Sequence, residues 1–216
     1  MTRAMMIMLI VALAPSGVAR AASAEHVYQL VEEQRLDEAQ HELEPLLRAR
    51  PHDGEVAFAD ADLIFHRGQY ARAAERFGEA AGKLRGENGV EAARMRDLAQ
   101  STDAVTKDDA VARGQHFVIY YSAGKDALLA DYALDALEHA YQALGDDFGW
   151  RPSEPVRVEI YPEVADLARV SPLTLKEIET SGTIALCKYN RLMIVSPRAL
   201  IAGYPWLDTL THEFTH

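Results

Sequence analysis

Hydrophobic and polar positions alternate in two different rhythms along this chain, and the change from one to the other divides it. Over residues 25–106, apolar positions recur at helical spacing in a background rich in Ala, Glu, Arg and Leu. This spacing predicts helices over 25–34, 37–49, 54–67 and 70–84, with a further one over 89–100 that caps the stack. The pattern also repeats. Leu36, Ala39, Leu43 and Leu46 return as Tyr70, Ala73, Phe77 and Ala80 at a constant offset of 34 positions. Small Ala39 and Ala73 allow two helices to approach, while Leu43 and Phe77 fill the space between them. Pro51 ends the first pair of helices, Gly68-Gln69-Tyr70 opens the second helix of the next pair, and Pro45 is expected to interrupt the helix it lies in. Residues 101–115 are polar and aperiodic, which predicts a linker; the helical domain is taken to close at 106 and the linker proper to cover 107–115.

From His116 the rhythm is that of a sheet. Residues 116–121 form a β-branched and aromatic run, hence a strand. A long amphipathic helix over 126–148 follows, and then 156–161, where Val156, Val158 and Ile160 alternate with Arg157 and Glu159 as in a strand with one wet face. Strand, helix, strand implies a crossover and a parallel pair. Short helices or turns are expected over 163–170 and 173–180. Residues 183–188 and 192–196 read as two strands joined at Tyr189-Asn190-Arg191, where Asn tolerates a positive φ. The last predicted element is a helix over 206–216, with Leu207, Leu210 and Phe214 on its apolar stripe, Asp208 in its first turn, and Gly203 and Pro205 marking its start. The resulting fold class is α+β: helical hairpins, then a mixed sheet with a closing helix.

Composition narrows the partners. A formal charge of -11 argues against nucleic acid and anionic membranes, because phosphate binding relies on clustered Lys and Arg. With 49% hydrophobic residues in 216, the chain can bury a core. Residues 1–24 read as a signal peptide: Arg3 gives a positive start, 4–13 an apolar run too short to span a bilayer, and Ala22-Ser23-Ala24 a small-residue cleavage site. The mature protein is then exported, periplasmic or secreted, with no membrane attachment after cleavage. Cys187 is the only cysteine, so no internal disulfide staples the fold; set in the apolar run 184–187, it reads as an inert buried thiol.

The chemistry concentrates in the final helix, WLDTLTHEFTH. His212 and His216 are one helical turn apart on one face, a spacing suited to holding one divalent metal. Glu213 follows the first of them and is placed to take a proton from water polarised by that metal, the arrangement of H-E-x-x-H on a helix. The competing view is an exposed or core histidine pair. Asp208, one turn earlier, is a candidate acceptor for the His212 ring, although a first-turn acid also suits the helix dipole by itself. Lys188 and Arg198 are candidates to face a substrate carboxylate, or are solvated charges. The remaining histidines, His26, His41, His52, His66, His116 and His139, show no ligand spacing to one another.

Residues 182–194, Gly-Thr-Ile-Ala-Leu-Cys-Lys-Tyr-Asn-Arg-Leu-Met-Ile, followed by 203–216, Gly-Tyr-Pro-Trp-Leu-Asp-Thr-Leu-Thr-His-Glu-Phe-Thr-His, resemble the peptidase MA-like (gluzincin) family of exported bacterial proteins. The resemblance covers 116 to the end. Residues 25–106 resemble tetratricopeptide repeats over about two units, with degenerate motifs. The family resemblance implies Zn2+ held by His212 and His216, with Glu213 as general base for attack of water on a peptide carbonyl. It also implies a third ligand, a Glu, and a transition-state stabiliser, both downstream of residue 216. Two functions are therefore expected. The first is an exported zinc metallopeptidase acting on a peptide or protein substrate, this chain being its amino-terminal, inactive portion. The alternative is a repeat-type module for binding a protein partner, joined to a non-catalytic peptidase-like domain.

Overall fold

A computed structural model describes residues 23–216. The signal-peptide reading therefore lies, but for Ser23 and Ala24, outside the described residues. Ser23 caps the first helix by accepting a hydrogen bond from the His26 amide. Among the described residues, nine α-helices and a five-stranded mixed sheet make an α+β fold. None of these helices is long and apolar enough to cross a membrane.

The first helices are α1 (Ala24–Glu32), α2 (Leu36–Ala49), α3 (Gly54–His66), α4 (Tyr70–Lys83) and α5 (Gly86–Thr106). The 34-residue period extends to the backbone. Gln34 and Gly68, the corresponding loop residues, take φ of 61° and 72°, and in both loops the residue that follows donates back to a carbonyl of the preceding helix, Arg35 to Leu30 and Gln69 to Ile64. All eight repeated apolar positions are buried. Pro45 does not break α2, which runs through it because Leu43 and Leu46 on either side are anchored in the core.

The expected linker is a structured part of the fold. α5 continues to Thr106, and the polar residues that obscure its period, Thr102 and Thr106, are buried with their hydroxyls donating to the carbonyls of Leu98 and Thr102, at 2.8 and 2.9 Å. Residues Ala110–Arg113 then form strand β1, paired antiparallel with β2 (Phe117–Tyr121).

After β2, helix α6 (Ala127–Phe148) crosses to β3 (Val156–Tyr161), which lies parallel to β2 as the crossover predicted. Helices α7 (Val164–Val170) and α8 (Leu175–Ser181) lead to the antiparallel hairpin of β4 (Ala185–Lys188) and β5 (Arg191–Val195). The strand order is β1-β2-β3-β5-β4, with β5 parallel to β3, so β4 is an edge. A short 3₁₀ turn, Pro197–Ala199, precedes α9 (Trp206–Thr215).

Alternation sends Phe117, Ile119, Val158, Ile160, Leu192, Ile194 and Ala185 to one face of the sheet, where α6 and α9 cover them. The opposite face carries Tyr161, Met193 and Val195 against α7 and α8. Arg157, Glu159 and Arg191 also lie on this second face, and here the wet face expected for 156–161 is absent. Glu159 is 0% and Arg191 1% exposed, because Tyr70 from α4 and the end of α7 cover them.

Candidate metal centre and its surroundings

Helix α9 is seated by an aromatic set. The Phe214 ring lies edge-on to Phe117 at 5.0 Å and nearly parallel to Tyr141 at 6.3 Å, and Tyr141 in turn stacks on His116 at 3.7 Å. Leu210 is fully buried, and Trp206 packs on the same cluster. The stripe on the core is thus Trp206, Leu210 and Phe214; Leu207, expected from the spacing, is not part of that cluster. Upstream, Gly203 takes a φ of 63°, and the hydroxyl of the half-buried Tyr204 donates to the Val195 carbonyl, tying the loop to the end of β5.

With its apolar side so fixed, α9 turns His212 and His216 outward. Their Nε2 atoms lie 3.3 Å apart. Two imidazole nitrogens, each about 2.0–2.1 Å from a zinc ion and separated by a tetrahedral angle, stand about 3.3–3.4 Å apart, so the pair fits two corners of such a site. When one ring carries its proton on Nε2, the same separation serves an N–H···N hydrogen bond. Among the described residues no group of three or more His, Cys, Asp or Glu side chains is gathered to hold a metal ion. His216 caps α9, its amide donating to the Glu213 carbonyl at 3.2 Å, and the Thr215 hydroxyl donates to the His212 carbonyl at 2.6 Å.

Glu213 is half-buried and lies toward β4. Its charge reaches Cys187, whose thiol is pushed up first by burial and then by the Glu213 carboxylate. Cys187 faces the cluster beneath α9 and is not the fully buried residue expected. Asp208 is exposed and makes no side-chain hydrogen bond to His212, which leaves it the dipole role. Arg198 is not free for a substrate: it donates to the buried Asp126 at 2.6 Å, as Ser196 does at 3.2 Å, anchoring the 3₁₀ turn to the start of α6. Lys188 is exposed, with its ammonium 5.5 Å from the Tyr189 ring. His116, one of the scattered histidines, pairs through Nδ1 with Glu138 at 2.6 Å.

The turn between β4 and β5 connects this region to the helical hairpins. Tyr189 and Asn190 have φ of 57° and 55°, a two-residue hairpin turn in which both central residues are left-handed. For tyrosine this is an uncommon conformation. Packing compensates, since its ring meets Phe65 edge-on at 5.3 Å and His66 at 5.9 Å.

Next to this turn lies a buried ionic cluster that the sequence alone did not reveal. The strand register places Arg157 directly opposite Arg191, an unfavourable pair by itself. Glu159, two residues further on the same face of β3, accepts from both guanidiniums, at 2.7 Å from Arg191 Nη1. The Tyr70 hydroxyl donates to it at 2.6 Å, and so does the Tyr161 hydroxyl. Burial alone would raise the Glu159 carboxyl, but Arg191, Arg157 and the two hydroxyls outweigh burial and hold it at about 2. Asp109 shows the reverse: burial and the Glu159 charge push it up to about 7. The available signal was the charged pair Arg157 and Glu159 in an otherwise apolar strand, together with Tyr70 at a repeat position.

A cavity of about 900 Å³ opens where these regions meet, between the α1–α2 and α3–α4 loops on one side and the sheet with the ends of α6 and α9 on the other; His216 and Cys187 contribute to its wall. No protein-family model, curated protein or solved structure matches the chain.

Proposed function

We propose that this chain carries the metal-binding helix of an exported zinc metallopeptidase of the gluzincin type, with tetratricopeptide-like hairpins ahead of it. The observation that carries the reading is the 3.3 Å separation of the His212 and His216 Nε2 atoms on an exposed helix face, with Glu213 between them in sequence. Zinc held there would supply Lewis acidity toward water and the scissile carbonyl.

The residues of the chain do the rest. Glu213 takes the proton of the attacking water and hands it to the leaving amine. β4 is an edge strand beside α9, and its unpaired backbone groups suit an extended substrate, which would add to the sheet as a further strand. Zinc in this reading needs a third protein ligand beside the two histidines, and among the described residues no further His, Cys, Asp or Glu side chain is gathered with them. The identical loop geometry 34 residues apart supports the repeat assignment.

The test is zinc competition against a chromogenic chelator, with peptide hydrolysis measured in a form of the protein extended past His216. His212→Ala and His216→Ala should each abolish binding. Glu213→Gln should retain zinc yet lower hydrolysis by about 10²-fold or more. Zinc binding that survives both histidine substitutions would overturn the metal assignment, and undiminished hydrolysis in Glu213→Gln would overturn the role of the carboxylate.

A further inference from the structure

The β4–β5 turn is built against its own backbone preference. Both central residues of a two-residue hairpin turn of this kind need a positive φ, which Gly and Asn adopt at little cost. Asn190, at 55°, fits that rule. Tyr189, at 57°, does not, because its Cβ crowds the backbone in the left-handed region. A side chain that opposes the turn has to be held by what it touches outside it.

What the Tyr189 ring touches belongs to the helical hairpins. It packs on the cluster formed by Ile64 and Phe65 of α3, Tyr70 and Phe77 of α4, and Met95 and Leu98 of α5. Arg191, the first residue of β5, is held at the same place: its guanidinium lies 5.4 Å from the centre of the Phe65 ring and 5.0 Å from that of Tyr70. Helices far away in sequence thus grip one end of the β4–β5 hairpin.

The effect of that grip falls on β4. This strand is four residues long, is hydrogen-bonded to β5 alone among the described strands, and has α9 against it. A short edge strand has a partner on one side only, so its place depends on its anchors. Cys187, the only cysteine of the chain, lies on the side of β4 that meets the cluster beneath α9, and its accessibility reports whether the strand is seated.

We propose that Tyr189 is a positioning residue: by inserting its ring among α3, α4 and α5 it holds β4 in place beside α9, and the helical hairpins thereby take part in shaping the site. At this cluster, the surface of the hairpins that a separate protein could use is already taken by the chain's own turn. That β4 is the strand that receives substrate rests on the peptidase reading. That Tyr189 seats β4 does not.

The test follows alkylation of the Cys187 thiol by iodoacetamide in the folded full chain, with chelator present, against the rate in urea; urea midpoints establish that each variant folds. Tyr189→Gly suits the positive φ and deletes the ring, and should be alkylated about tenfold faster than the wild type or more, through local opening of the strand. Tyr189→Phe keeps the ring, and Asn190→Gly relaxes the neighbouring turn position without touching it; both should stay within about twofold of the wild type. Phe65→Leu removes the partner of the ring from the hairpin side and should speed alkylation severalfold, which tests the same contact where Tyr189→Gly does not fold. Wild-type protection in folded Tyr189→Gly or folded Phe65→Leu would overturn the proposal. So would acceleration in Tyr189→Phe or Asn190→Gly equal to that in Tyr189→Gly, or a wild-type thiol as reactive as in urea. The histidines do not enter these results: a chain that fails to bind zinc can still show them, and one that binds zinc can still lack them.

Discussion

Two groups of polar residues in this molecule invite comparison, the histidine pair on α9 and the ionic cluster around Glu159. His212 and His216 are four positions apart, exposed, and brought together by nothing more than one turn of helix. Glu159 is 32 residues from Arg191 and 89 from Tyr70, and all three are buried. The helix presents its groups outward and gains little from them. The cluster fastens the helical hairpins to the sheet and loses a great deal if one member is removed. A motif legible along the chain is thus the candidate for chemistry, while the cluster that spans the fold is the candidate for stability.

The largest effect is expected where the cluster is cut. Arg191→Ala leaves Glu159 ionised and buried with a single partner guanidinium, and should lower the unfolding free energy in urea by about 3–5 kcal/mol. A loss under about 1 kcal/mol would mean that the cluster is solvated and does not join the two halves.

Tyr70→Phe is the finer cut. It removes one hydroxyl that donates to Glu159 and accepts from Arg191 Nη1 at 2.9 Å, and keeps the ring. About 1–3 kcal/mol should be lost in the same assay, since two charged partners lose a bond.

Acid and base should then act on the cluster in opposite senses. Glu159, held at about 2 against an ordinary 4.5, gives stability that is present above pH 4.5 and is lost as pH falls through about 2. Asp109, raised to about 7 from 3.8, favours the folded state when protonated, so its contribution is greatest below pH 3.8 and disappears as pH rises through about 7. Asp109→Asn should therefore gain on the wild type in urea midpoint between pH 5 and pH 8, by an amount kept small because the side chain is half-exposed and screened by solvent. A constant difference across that range would contradict the raised value.

The smallest effect on stability is expected at the motif. His212→Ala and His216→Ala, both on the exposed face, should change the unfolding free energy by less than about 0.5 kcal/mol, while removing zinc binding altogether. Destabilisation comparable to that of Arg191→Ala would place the histidines in the structural class and break the contrast.

Much of the element order was readable because it depends on local periodicity. The 34-residue repeat, the strand-helix-strand crossover, the terminal helix and the hairpin about Tyr189-Asn190-Arg191, in which Arg191 proves to be the first residue of β5, follow from the spacing of apolar residues and from turn chemistry. Two of the misreadings have a common cause. Residues 101–115 looked like a linker because Thr102 and Thr106 are polar, yet a threonine whose hydroxyl returns to the carbonyl four residues back can be buried in a helix. The charged face of β3 reads as wet because Arg157 and Glu159 are ionic, yet the two pair with each other and Glu159 finds a second cation, Arg191, in a distant segment.

Which residues alternate, which recur and which two imidazoles share a helix face can be read along the chain, because those relations are set within a few residues of backbone geometry. That β4 is an edge beside α9, that Tyr189 seats its ring against the helical hairpins, and that Arg157 and Arg191 share one carboxylate emerges only when the chain is folded. These depend on strand register and on the meeting of surfaces far apart in the chain, and the pairing of a buried charge is invisible until its partner has been brought to it.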